Sequence, residues 1–175
     1  MGWVHRIQVL FLLSIVLPSA QAFAETSAAN YPDRAIKIVS ASPAGGGVDL
    51  SARIVADFLE KLWHQPTVVE DRPGASSNIA GEAVARSDPD GYTLLATPPS
   101  VITANAALFK HLNYAPAALE PVAIMAVAPN VLAVRNDLPI KSVADLIAYA
   151  KANPAKMTYA SQGNGSTSHL TMELF

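Results

Sequence analysis

Two glycine-rich segments contain the residues of this chain best suited to bind a ligand. The first runs from Pro43 to Gly47, between a β-branched run and an amphipathic stretch, and the second is SQGNGSTSH at 161–169. A loop that leads into a helix leaves backbone N–H groups unpaired, and the helix dipole favours negative charge beside them. Either segment could be an ordinary turn, but the pair favours a site for a carboxylate or phosphate held mainly by main chain.

Several side chains could complete such a site. Asp49 is predicted to cap the first helix, and its charge would repel an acid, so any contact should run through water or to a hydroxyl or amino group. A third loop, Arg72 to Asn78, also enters a helix and could line the same cleft. The candidate ligand-binding residues are Gly45, Gly46, Gly47, Asp49, Ser77, Asn78, Ser161, Gly163, Gly165, Ser166, Ser168 and His169.

The sequence shows no motif for catalysis, a nucleotide or a metal. The first loop lacks the Gly-Lys-Ser/Thr ending of a triphosphate-binding loop, and Ser168 stands where a dinucleotide fingerprint has its third glycine. The four histidines are far apart, without metal-ligand spacing, and no G-x-S-x-G elbow occurs. We therefore expect no catalytic residue, cofactor or metal.

The N-terminus has the pattern of an export signal. Arg6 precedes an apolar run from Ile7 to Leu17 that is too short to span a bilayer, and A-x-A sequences predict cleavage after Ala22 or Ala24. Without that segment the chain has 11 basic and 14 acidic residues, a net charge of −3, which argues against a nucleic-acid partner. We expect a monomeric periplasmic protein with no membrane insertion of the mature chain.

Alternating short strands and helices predict an α/β fold with a largely parallel sheet. Strands are predicted at 36–40, 67–70, 92–97, 122–127, 131–135 and 157–161, and helices at 50–63, 78–86, 101–109 and 143–152, with another from Ser166. In the first helix Leu50, Ile54, Phe58 and Leu62 fall four apart, and Val55 and Leu59 widen this apolar stripe, which is predicted to face the core.

The segment before Pro121 interrupts the helical pattern and is the predicted crossing between two lobes. The expected organisation is a signal peptide at 1–24, a first α/β lobe at 25–112, and the crossover with the start of a second lobe at 113–175. The last helix reaches Phe175 without a stop signal, so we expect an N-terminal portion of a longer protein.

Read together, these segments resemble the Bug-type (TctC-like) extracytoplasmic solute receptors of tripartite tricarboxylate transporters. The matching text is YPDRAIKIV, PAGGGVDLSAR, VVEDRPGASSNIAGEAVA, DPDGYTLL, EPVA and AYAKANPAKMTYASQGNGSTSHL, in family order from Tyr31 onward. The resemblance implies a periplasmic-binding-protein-like two-lobed fold, incomplete in this chain because family members continue further. It also implies a carboxylated ligand held by loop backbone, hydroxyls and water.

The favoured hypothesis is a periplasmic protein that captures a small organic acid between two lobes and delivers it to membrane permease subunits. Two alternatives stay open at this point. One is an exported α/β enzyme that acts on a phosphorylated substrate through the first loop, and the other is a non-functional truncated fragment.

Overall fold

The computed structural model describes residues 30–175, and the predicted signal peptide lies outside this range. Three strands form its sheet: β1 Ile36–Ser40, β2 Thr67–Asp71 and β3 Thr93–Ala96. Five α-helices accompany them: α1 Gly47–Trp63, α2 Asn78–Ala85, α3 Asn105–Leu108, α4 Val143–Ala152 and α5 Thr167–Leu174. Short 3-10 turns lie at Ala75–Ser77, Pro99–Val101 and Pro116–Ala118.

The sheet is entirely parallel, in the order β2-β1-β3. Ile38 pairs with Val69 on one side and Leu94 on the other. Parallel neighbours require crossovers, and α1 and α2 supply them between consecutive strands. The predicted α/β fold is therefore confirmed, as are the positions of the first three strands to within about two residues.

The central strand β1 is covered on both of its faces. Ile38 packs with Ala52 and Ala56 of α1, whereas Val39 and Ala41 pack with Ala80 of α2. Successive side chains of a strand point to opposite faces, so α1 and α2 lie on opposite sides of the sheet. The packing of α1 and α2 on β1 therefore holds the N-termini of both helices near the carboxyl edge of the sheet.

Most of the predicted core stripe of α1 is wrong, although its member Val55 does pack against the buried core. Leu50, Ile54, Phe58 and Leu62 are 53–72% exposed, and the helix instead buries its small residues Ala52 and Ala56. Alanine permits close approach of the helix to the sheet, which explains why this face was selected over the bulkier one. Residues 30–175 provide no cover for the larger side chains, so sequence periodicity identified an apolar face but not its partner.

The three later strands, predicted at 122–127, 131–135 and 157–161, are not formed. A strand requires a hydrogen-bonded neighbour, and these segments have none within the described part of the chain. Their apolar side chains are correspondingly exposed, with Val122 and Val131 each at 84%. The helix predicted at 101–109 is also wrong, because it divides into the turn Pro99–Val101 and the single turn of α3.

Helix α4 occupies its predicted range, and the Ser142 side chain caps its N-terminus. Ser142 accepts a hydrogen bond from the Asp145 N–H at 3.1 Å, and Asp145 accepts one from the Lys141 N–H at 3.0 Å. This reciprocal pair of bonds resembles a capping box, except that Asp145 binds the N–H of Lys141, the residue before the N-cap, and not that of the N-cap itself. No helix within residues 30–175 is long and apolar enough to cross a membrane.

Candidate functional site

The candidate site lies at the carboxyl edge of the parallel sheet. The loops that follow β1, β2 and β3 all leave from this edge because the three strands run in the same direction. In open α/β sheets this is the edge at which ligands bind. The first glycine loop, residues 41–46, and the Arg72–Ser77 loop therefore start side by side.

Helix α1 begins three residues earlier than predicted, and this changes the role of Asp49. Gly46 is the N-cap, with φ −71° and ψ 159°, and Asp49 lies inside the first turn. The predicted cap at Asp49 is therefore wrong. Its carboxylate reaches back instead and accepts a hydrogen bond from the Gly45 N–H at 2.7 Å, while its own N–H donates to Ser42 Oγ at 3.0 Å.

Asp49 is 1% exposed and its charge is balanced by Arg53. The second carboxylate oxygen lies 2.7 Å from Arg53 Nε, and the same guanidinium lies 3.0 Å from Asp71 Oδ2 at the end of β2. Arg53 first, and then the Gly45 N–H, lowers the pKa of Asp49 below its ordinary value of 3.8. Asp49 thus remains ionised and holds the glycine loop to α1.

The start of α1, directly after the first loop, offers two amides to a ligand, and one of them belongs to Val48, which is outside the predicted set. The N–H of Gly45 is used by Asp49, and that of Gly46 donates to the Pro43 carbonyl at 3.0 Å. At the start of α1 the N–H groups of Gly47 and Val48 have no hydrogen-bond partner among the described residues. The Val48 amide was missed because the helix was predicted to start at Leu50.

The second glycine loop ends in the same way at α5. Ser166 is the N-cap, and its hydroxyl accepts a hydrogen bond from the His169 N–H at 3.2 Å. As in α1, the first two amides of the helix, those of Thr167 and Ser168, lack a partner within residues 30–175. The hydroxyls of Ser166 and Ser168 lie 3.1 Å apart beside them, so donors are concentrated at this end.

The remaining predicted residues of this loop stabilise the turn itself. Ser161 Oγ accepts a hydrogen bond from the Gly163 N–H at 3.3 Å, and His169 Nδ1 accepts one from the Gly165 N–H at 3.4 Å. Gly163 and Gly165 have φ angles of +116° and +76°, which favour glycine. The imidazole of His169 is thus engaged with the loop backbone, and its other nitrogen faces Glu173 at 3.9 Å.

The loop after β2 has an unusual backbone. Gly74, Ala75, Ser76 and Ser77 all have positive φ, and three of them are not glycine. The left-handed conformation costs an L-residue about 1–2 kcal/mol, so such a run persists only where the surroundings enforce it. Ser77 is the N-cap position of α2, but its side chain makes no capping bond.

A buried polar network holds this strained loop from behind. Asn105 is 0% exposed, and its Nδ2 donates to the Ser76 carbonyl at 3.0 Å and to Asn78 Oδ1 at 2.6 Å. The Tyr114 hydroxyl donates to the same Asn78 oxygen at 2.9 Å, and burial raises the pKa of Tyr114. Asn78 is therefore engaged in structure. Asn105 and Tyr114 were not predicted. The one signal for Asn105 in the sequence is that it is a polar residue between alanines.

The strained loop contacts both glycine loops. Ser77 Oγ donates to the Ala41 carbonyl at 3.4 Å, where the first loop begins, and Ser76 Oγ donates to the Asn164 carbonyl at 2.8 Å, within the second. Gly165 also lies against α3, since a Cβ there would be 2.9 Å from Leu108 Cδ1. The predicted loops are thus gathered on one side of the molecule. No cluster of metal-binding side chains occurs among residues 30–175.

Comparisons with known proteins show the family of this chain. The family model described as tripartite tricarboxylate transporter family receptor (TctC) matches residues 51–175. The chain belongs to this family. It is 35% identical over 170 residues to Protein BugT of Bordetella pertussis, covering 96% of this chain and 52% of BugT. It is also 39% identical over 156 residues to a UPF0065 protein from the gbd 5′ region of Cupriavidus necator, covering 86% and 46% of the two chains.

Two solved structures extend the similarity to the fold. Rpa4515 of R. palustris, determined with adipate, has a TM-score of 0.76 and 38% identity, covering 82% of this chain and 48% of that one. MatC (Rpa3494) from Rhodopseudomonas palustris, with bound malate, has a TM-score of 0.72 and 30% identity, covering 82% and 49%. This chain is therefore similar to periplasmic-binding-protein-like structures and spans about half the length of the relatives that it matches.

Proposed function

We propose that this protein is a periplasmic receptor that captures a small carboxylate for a tripartite tricarboxylate-type transporter. The observation that supports this function best is the pair of helix starts, α1 and α5, each with two amides that lack a partner among the described residues. Four N–H donors and two positive helix ends suit an acid better than any neutral solute. The malate and adipate found in similar structures point to dicarboxylates as the first candidates.

A receptor of this kind would hold its ligand between two lobes. We infer a first lobe at 25–112 and a crossover with the start of a second lobe at 113–175, with the acid between the lobes. The mature protein would act in the periplasm as a monomer after cleavage near Ala22 or Ala24, and would pass its ligand to membrane permease subunits. Family membership favours binding over catalysis, so the alternative of a phosphate-directed enzyme receives no separate support.

The first experiment measures which acids bind. The full chain is titrated calorimetrically with adipate, malate and a panel of mono- and tricarboxylates, and adipamide serves as the uncharged match for adipate. We expect heat of binding with at least one acid and none with the diamide, because helix-end amides favour negative charge. Absence of heat and of a thermal shift across the whole panel would contradict the receptor function.

The second experiment removes one amide while leaving the helix intact. Gly47→Pro deletes the N–H at the first position of α1, where proline is well tolerated, and the extended ψ of 159° at Gly46 suits a following proline. Gly47→Ala is the control because it retains the N–H, and a Cβ there meets no atom within 4 Å. We expect Gly47→Pro to weaken acid binding by about tenfold or more relative to Gly47→Ala, since bonds to charged groups are worth about 1.5–3 kcal/mol.

The same comparison is available at the second helix. Thr167 is the first residue of α5 and follows Ser166, whose ψ is 158°, so Thr167→Pro and Thr167→Ala form an equivalent pair. If both proline variants bind as their alanine controls do, main-chain donors are not the basis of recognition. A loss confined to one helix would show that the acid is held at that end alone.

A further inference from the structure

The strained segment Ala75–Ser77 has a position that the receptor function does not by itself require. Ser76 and Ser77 are consecutive, yet their hydroxyls donate to carbonyls 123 positions apart in sequence, Asn164 and Ala41. These two carbonyls belong to the two different glycine loops. The segment therefore spans the interval between the helix starts that offer the free amides.

The Ser76 contact is the shorter of the two and is reinforced from both sides. Its hydroxyl lies 2.8 Å from the Asn164 carbonyl, and its own carbonyl accepts a bond of 3.0 Å from the buried Asn105. Asn105 lies at the start of α3, and the Leu108 side chain of the same short helix borders Gly165. Ser76 thus connects the second glycine loop to the body of the sheet through a fixed element.

From this geometry we propose that Ser76 is a positioning residue, whose hydroxyl sets the placement of the second glycine loop relative to the first. It need not touch the ligand itself. The proposal rests on the proposed function for its effect on binding, but the placement of the loop can be measured without any ligand. A left-handed φ of +54° at a serine, where glycine would be free of strain, is consistent with a hydroxyl that is needed there.

Two substitutions separate the hydroxyl from the backbone strain. Ser76→Ala removes the hydroxyl and keeps the strain, whereas Ser76→Gly removes the hydroxyl and relieves the strain. Ser87→Ala is the matched control, because that hydroxyl bonds only locally, to the Val84 carbonyl at 2.7 Å. Amide hydrogen exchange of residues 161–168 is measured in the ligand-free full chain, together with thermal stability.

We expect exchange in residues 161–168 to be about two- to tenfold faster in both Ser76 variants, the effect of one lost hydrogen bond, and unchanged in Ser87→Ala. Where the wild type binds adipate or malate, the dissociation constant should rise in both variants, including a Ser76→Gly protein that is as stable as wild type. Unchanged exchange in both variants, or a change in Ser76→Ala alone, overturns the proposal. If the wild type binds no acid, the receptor function fails while the exchange data still decide the role of Ser76.

Discussion

Gly165 provides a sharp test of how tightly the second glycine loop is determined. Its φ is +76°, and a Cβ added there would lie 2.9 Å from Leu108 Cδ1 and 3.8 Å from Asn105 Oδ1. The left-handed backbone costs alanine about 1–2 kcal/mol. Leu108 is 45% exposed, so its methyl group can rotate away and should add little. We therefore expect Gly165→Ala to lower the free energy of unfolding by about 1–2 kcal/mol, chiefly through backbone strain.

The assay is thermal and urea unfolding of the full chain, followed by circular dichroism. A loss of this size corresponds to a fall in Tm of about 2–8 °C for a chain of this length. Gly163→Ala measures backbone strain without a steric neighbour, because a Cβ there meets nothing within 4 Å; its φ of +116° lies farther from the left-handed well than that of Gly165, so a loss at least as large is expected. Gly47→Ala has neither strain nor a close neighbour and should be neutral or slightly stabilising. A Gly165→Ala protein within about 0.5 kcal/mol of wild type would refute the reasoning.

Two further predictions concern the ends of helices. Ser142→Ala should lower the free energy of unfolding by about 1 kcal/mol, because it removes the oxygen that accepts the Asp145 N–H. Urea unfolding measures this loss, with Ser51→Ala as the control variant. Equal unfolding midpoints for the two variants would contradict the prediction. Asp49→Asn should reduce the loss of unfolding free energy that accompanies a fall in pH below about 4. The folded-state pKa of Asp49 is lowered, so its contribution is complete above the ordinary value of 3.8 and is lost as pH falls through the lowered one. Unfolding free energies between about pH 5 and pH 2 test this against Asp57→Asn, and parallel curves for wild type and Asp49→Asn would disprove it.

The part of the fold that sequence predicted well consists of elements whose partners are near in the chain. The run Ile36–Ser40 pairs with strands that follow within 60 residues, and each intervening helix packs on the same sheet. Local pattern and tertiary packing agree there. The segments at 122–127 and 131–135 carry equally strong β-branched patterns, but a pattern cannot supply the neighbouring strand on which a ladder depends.

Within the candidate site, sequence predicted the glycine loops but not how they are connected. Glycine content and the following apolar periodicity marked both helix starts, although the first helix begins three residues before its predicted start. Asp49 was misassigned because a carboxylate near a helix start can cap from outside or reach back from the first turn. Ser76 and Asn105 were missed, since their importance depends on contacts 88 and 29 residues away along the chain.

The unpartnered amides of α1 and α5 have a consequence for how such a protein can change over generations. An amide belongs to the polymer and not to any residue type, so nineteen of the twenty amino acids preserve it and only proline erases it. Codon changes at Gly47, Val48, Thr167 or Ser168 can therefore accumulate with the N–H donors still present. A new preference among acids would then arise from a change in loop conformation that redirects these N–H groups. Evolution of specificity would therefore depend more on the shape of the loops than on the chemistry of their side chains.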